Sequence, residues 1–80
     1  MKTKVVTLAG VVFEGEAKAV HARTNVGDIT LLDHHRPLIS VLAPNTQVRV
    51  ETKDNAKEEF TASGGFLHMD GNNSLTILVD

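Results

Sequence analysis

Apolar and polar residues alternate along almost the whole chain with a period of two. That period marks strands with one buried face and one wet face. Val48 and Val50 alternate with Gln47, Arg49 and Glu51, and Phe60 and Ala62 with Glu59, Thr61 and Ser63. Leu75, Ile77 and Val79 alternate in part with Thr76. Clusters of turn formers separate these runs: Ala9-Gly10, Pro44-Asn45, Asp54-Asn55 and Asp70-Gly71-Asn72-Asn73. Asp54-Asn55 between two alternating runs predicts a hairpin, and Gly71 is free to take a positive φ in its cluster. About seven or eight short runs at this spacing predict an all-β sandwich or barrel.

Two segments refine the picture. From Phe13 to Ala19 the odd positions are apolar or small, whereas from Val20 the even positions Val20 and Ala22 are apolar. A strand exchanges its faces only through an extra residue or a sharp bend. The sequence therefore predicts a bulge near Ala19, or a strand that leaves one sheet for the other, with a second kink at Gly15. The run Pro37-Leu38-Ile39-Ser40-Val41-Leu42-Ala43 is apolar on both parities. That pattern fits a strand covered on both sides or a short buried helix, and β-branched Ile39 and Val41 favour the strand. No amphipathic stripe of about 11 residues or more indicates a helix, and no repeat or low-complexity linker is present.

Eighty residues make one domain, 1–80. There is no cysteine, so neither a disulfide nor a thiolate metal site supports the fold. The apolar residues after Met1-Lys2-Thr3-Lys4 break at Gly10 and Glu14, unlike a signal peptide, and no apolar run approaches a membrane span. Eight basic and ten acidic residues give a net charge of −2, spread along the chain. With no Trp or Tyr for base stacking, nothing points to nucleic acid.

Candidate chemistry is sparse. His34 and His35 with Asp33, joined by His21 or His68, are the residue types of a zinc site. Adjacent residues on a strand point to opposite faces, however, so His34 and His35 converge only in a turn. Ser63-Gly64-Gly65 is not a nucleophile elbow. Its paired glycines suit a tight turn or a close approach by another backbone. Glu14/Glu16 and Glu58/Glu59 read as solvated charges at a sheet surface or edge. No phosphate-cradling loop and no cofactor motif is present. The segment Gly27–Leu38 remains, with Asp28 on a turn behind Gly27 and then Ile29 and Leu31. It reads equally as a docking loop with an apolar hook or as a hairpin that gives Ile29 and Leu31 to the core.

The pattern Gly-acid-Ile-x-Leu-Leu-x-x-His-x-Pro-Leu, from Gly27 to Leu38, resembles the epsilon subunit of F-type ATP synthase. Three further blocks resemble that family in order: Val5-Val6-Thr7 with Gly10–Glu16, then Ser63-Gly64-Gly65-Phe66-Leu67, then Leu75–Asp80. The resemblance covers essentially the whole chain. It implies a flattened β-sandwich of about eight to ten short strands, with no catalytic site, metal or cofactor. It also implies a central-stalk connector gripped by the gamma subunit on one side and by the polar loops of the c-ring on the other. Such a connector couples proton or sodium transport to ATP synthesis. It lies peripherally at the cytoplasmic face of the inner (plasma) membrane and does not insert into it.

By resemblance the c-ring surface comprises Asp28, Ile29, Leu31 and His35, with Asp28 meeting a basic residue of the ring. The structural loop residues are Gly27, Pro37, Leu38, Ser63, Gly64 and Gly65. A gamma-binding face should expose apolar side chains in the isolated domain. The chain departs from the family pattern at Asp33, where proline is common, at His34, where glycine is common, and at Arg36, where the residue is usually small. A chain ending at Asp80 is expected to lack the family's carboxy-terminal helical hairpin, and with it inhibition and nucleotide sensing.

Overall fold

In the computed structural model, which describes residues 1–80, every regular element is a strand: β1 (Lys2–Thr7), β2 (Gly10–Thr24), β3 (Gly27–Leu32), β4 (Leu38–Val41), β5 (Thr46–Thr52), β6 (Lys57–Ala62), β7 (Gly65–Met69) and β8 (Ser74–Val79). No helix is long and apolar enough to cross a membrane. Hydrogen bonding runs in the order β4-β7-β8-β1-β2-β5-β6, with β3 also on β2. All pairs are antiparallel except β1 with β8.

β2 is the hinge of this arrangement. Its first half, Gly10–Glu16, pairs with β1. Its second half pairs with β3 on one side and β5 on the other. The register slips between Ala17 and Ala19, leaving Lys18 as the extra residue. The bulge and the sheet-to-sheet passage predicted by the exchange of faces therefore occur together. The second irregularity lies at Val12, because Val5 faces Phe13 while Val6 faces Val11. Gly15 keeps its place opposite Thr3. A Cβ there would make only ordinary contact with the Phe13 ring at 3.6 Å, and the expected kink at Gly15 is not found.

The two layers close over one apolar core that includes Val5, Val20, Leu31, Val48, Val50, Leu67, Met69, Leu75 and Ile77. Burying each such side chain contributes about 1.5–3 kcal/mol. Phe13 from the first layer meets Phe60 from the second edge-on, with centroids 6.2 Å apart. Within Pro37–Ala43 the residues Leu38–Val41 form a strand, as expected, but it is covered on one side only. Ile39 and Val41 stay exposed while Leu38 packs on the core.

Turns take their positive φ where asparagine allows it. Asn45, Asn55 and Asn73 lie at +53°, +70° and +58°. In the Asp70–Asn73 cluster the left-handed residue is thus Asn73, not Gly71. Asp70 supplies the reason: its carboxylate accepts the amides of Asn72 (2.8 Å) and Ser74 (3.1 Å) and shapes the turn around itself. The Asp54-Asn55 hairpin joins β5 to β6, and Thr52 bonds across it to Ala56.

The β3–β4 loop explains two departures from the family pattern. His34 occupies the left-handed region at φ +63°, a conformation that histidine adopts more readily than most residues. Its amide donates to Asn73 Oδ1 at 2.6 Å. Asp33 accepts the buried Met1 ammonium, which also bonds the Ala17 carbonyl at 2.9 Å. Lys53 stands 3.4 Å from the other Asp33 oxygen. These contacts tie the start of β1, the centre of β2, the β3–β4 loop and the β5–β6 turn together.

Two predictions follow from these packings. At φ +131°, Gly65 would carry a Cβ only 1.9 Å from the Leu78 carbonyl oxygen, whereas one on Gly64 would meet nothing closer than the exposed Asp80 carboxylate at 3.0 Å. Gly65→Ala should therefore destabilise by about 3 kcal/mol or more and Gly64→Ala by less than about 1 kcal/mol in urea unfolding. Equal losses would refute the close-approach account. The second concerns Asp33, whose bond to the Met1 ammonium, aided by Lys53, lowers its pKa from 3.8 to about 2. Because the folded value lies below the unfolded one, the stabilisation is complete above about pH 3.8 and is lost as pH falls through about 2. Asp33→Asn should flatten the fall in Tm between pH 4 and pH 2. A fall as steep as that of the wild type would remove Asp33 from the acid response.

Candidate functional site

Alternate residues of the first layer point away from the core, and the strand register aligns them into rows. Val41 lies opposite Phe66, Phe66 opposite Leu78, Leu78 beside Val6, and Val6 opposite Val11. One apolar residue from each of five strands thus forms a continuous line about 19 Å long across the outer surface. Phe66 is 44% exposed, and Val11, Val41 and Leu78 are also open. Leu8, fully exposed on the β1–β2 turn, and Ile39 extend the patch. Val6, Leu8, Val41, Phe66 and Leu78 line a shallow groove. The next row, Glu14, Lys4, Thr76, His68 and Ile39, is largely polar.

The outer surface of the second layer is different. It carries Arg23 and His21 on β2, Asp28 and Thr30 on β3, Gln47, Arg49 and Glu51 on β5, and Glu59 on β6. His21 is held between Thr30 Oγ1 (3.1 Å) and the Glu51 carboxylate. The bond from His21 holds the Glu51 carboxyl below its usual range. This surface is polar and carries the His21–Glu51 and Arg23–Asp28 pairs, whereas the first layer's row has no apolar partner.

The Gly27–Leu38 segment begins as the second strand of a hairpin. Its tip is a Thr-x-x-Gly turn, Thr24-Asn25-Val26-Gly27, in which Thr24 Oγ1 donates to the Gly27 carbonyl (2.9 Å) and accepts from the Val26 amide (3.2 Å). Thr7-Leu8-Ala9-Gly10 repeats the same bonds. Gly27 and Gly10 sit at φ +127° and +129°, where a side chain would be strained. Each turn holds an apolar residue out in solvent, Leu8 in one and Val26, 84% exposed, in the other.

Of the residues expected at a c-ring surface, Asp28 lies beside this tip with its side chain open to solvent. It faces Arg23 across the strand pair, Nε to Oδ1 at 2.8 Å. That bond lowers the Asp28 pKa and raises that of Arg23. Ile29 is half-buried against the core. Leu31 is 0% exposed, so it is a core residue and makes no surface contact. Strand alternation sends Ile29 and Leu31 inward and Asp28, Thr30 and Leu32 outward, which settles for these two residues the choice between hook and hairpin. His35 lies beyond the far end of β3, past roughly 13 Å of extended chain from Asp28 to Leu32, and its Nδ1 contacts the Arg36 carbonyl at 2.8 Å.

The structural residues are Gly27 and Gly65 at positive φ, and Gly64, whose carbonyl accepts the Asp80 amide at 3.1 Å. Ser63 Oγ approaches the Asp80 carbonyl at 3.5 Å. Pro37 lies next to Gly71, and Leu38 packs on the core. No group of three or more His, Asp or Glu side chains converges as a metal ion would require. Asp33 is engaged by Met1 and Lys53, and the His35 ring contacts the Arg36 carbonyl. Sequence reasoning did not find the five-strand row, Arg23 or Val26. The repeated Thr-x-x-Gly was the visible signal for the two apolar tips, while the row depends on strand order and register.

A family model described as "ATP synthase, Delta/Epsilon chain, beta-sandwich domain" matches residues 1–80. The chain is 35% identical over 80 residues to an ATP synthase epsilon chain of Brevibacillus brevis, covering 100% of this chain and 59% of that one. It is 38% identical over 68 residues to one of Ligilactobacillus salivarius, covering 85% and 48%. It thus spans about half to three-fifths of the length of these relatives. A chain of the Euglena gracilis mitochondrial ATP synthase (OSCP/F1/c-ring, rotational state 1) superposes with a TM-score of 0.89 at 25% identity, covering 99% of this chain and 49% of that one. A chain of the Tetrahymena thermophila mitochondrial ATP synthase central stalk and c-ring shares the fold, with a TM-score of 0.79 at 22% identity and coverage of 99% and 62%. With its family model matched from end to end and its strands in a sandwich, the chain belongs to the ATP synthase delta/epsilon family, as the β-sandwich domain.

Proposed function

We propose that the domain is a non-catalytic connector in the central stalk of a rotary F-type ATP synthase, held between the gamma subunit and the polar loops of the c-ring. In that position it couples ion transport to ATP synthesis and lies peripherally at the cytoplasmic face of the membrane. The observation that carries this reading is the apolar row Val41–Phe66–Leu78–Val6–Val11. A row of this kind on an otherwise polar surface marks a face that another protein covers. Gamma is the partner assigned to it. The second contact is assigned to the β2–β3 tip, where Asp28 stands beside the exposed Val26, with Ile29 and Leu31 anchoring the strand from inside.

A rigid two-layered body suits this task. The paired strands and the shared core fix the row and the tip relative to each other, so torque applied at one is carried to the other.

Phe66→Asp should weaken binding to purified gamma at least about tenfold, while the urea midpoint reports a stability change below about 1.5 kcal/mol, because the ring is already half in solvent. Thr61→Asp, on the second layer's outer surface, should leave gamma binding unchanged. Calorimetry or a pulldown at micromolar concentration reads both. Full affinity for gamma in the Phe66 variant would overturn the reading.

A further inference from the structure

We propose that Arg23 is a specificity-determining residue of the β2–β3 tip: by pairing with Asp28 across the strands it withholds that carboxylate from a basic partner loop. The inference rests on the reading that this tip meets the c-ring.

The register sets the pair. Arg23 and Asp28 are directly opposite on β2 and β3, at the separation where opposite charges attract best across a sheet. The guanidinium Nε donates to Oδ1 at 2.8 Å, and each side chain makes its only ion pair here. Both remain mostly in solvent, with side-chain exposures of 65% and 72%, so a docking loop reaches the pair. The backbone beneath is fixed. The Ala43 amide donates to the Arg23 carbonyl at 2.9 Å, and the Asn25 amide donates to the Val41 carbonyl at 3.0 Å. Thr24 is buried and bonded within the turn. The two charges therefore cannot drift apart by movement of the tip.

The consequence is a neutral tip with an apolar point. A loop that offers a lone basic residue has to compete with Arg23 for Asp28. A loop with an acid next to its base satisfies both members of the pair. Exposed ion pairs of this kind are weak and screened by solvent, equivalent to a factor of about five in affinity at most. Arg23 thus lowers affinity for a purely basic loop by up to about fivefold. It also makes docking less sensitive to salt, because neither charge is left to be screened on its own.

The test is binding of the whole chain, with gamma present, to c-rings purified in detergent. Wild type is compared with Arg23→Gln, Asp28→Asn and the double variant at low and at physiological salt. Arg23→Gln should bind about two- to fivefold more tightly than wild type, with a steeper loss in salt. Asp28→Asn and the double variant should match each other, because Arg23 acts only through Asp28. Affinity for Arg23→Gln that equals or falls below wild type, with wild type binding normally, overturns the inference and leaves the docking surface standing. No binding of the wild-type chain overturns both. Thermal melts of each variant verify that the fold is kept, as expected for two exposed side chains.

Discussion

Everything in this domain depends on one strand serving two layers. β2 runs for 15 residues and lends its first half to one sheet and its second half to the other. A straight strand with strict alternation could not do this, since a residue facing the core in one layer would face solvent in the other. The single extra residue at Lys18 resolves the conflict. It lets Phe13 and Ala17 point inward on one side of the bulge and Val20 and Ala22 point inward on the other. Without that slip either half of the core would be turned outward.

Because the core is closed in this way, the two outer surfaces are free to differ. Polar side chains on the second layer pair with one another through His21–Glu51 and Arg23–Asp28. The first layer gathers its apolar residues into one line and leaves them uncovered. A domain of this size buries only roughly three-fifths of its potential surface, so an open apolar line costs stability that few small proteins can spare. Its presence makes sense for a body that works while covered by another protein. The β2–β3 tip is of another kind: a hairpin turn with a pre-formed charge pair and a protruding valine.

Much of the fold was legible in the sequence because a half-buried sheet forces alternation on each strand. Val48 and Val50, or Leu75, Ile77 and Val79, cannot be placed any other way without wetting one row of side chains. The exchange of parity at Ala19–Val20 located the bulge for the same reason. What the sequence concealed was everything that depends on strands distant in the chain. Val6, Val11, Val41, Phe66 and Leu78 look like ordinary strand residues until strand order puts them in one line. Arg23 lies only five residues from Asp28, yet the two meet only if the turn between them has two residues. Asp33 and His34 looked like disturbances of a familiar pattern. In the folded chain one is the acceptor for the Met1 ammonium and the other takes a left-handed turn.

The one parallel pairing bears on how the domain resists a load. β1 and β8 run side by side in the same direction through the middle of the first layer, matched from Lys2 with Ser74 to Val6 with Leu78. A tension that drags these two strands lengthwise past each other meets the whole ladder at once, since no rung can open before its neighbours. Peeling from an end, the weak mode of a hairpin, is not available to such a pull. Loaded in that direction, the two strands hold or give way as one unit, like a stiff shaft and not a zip fastener.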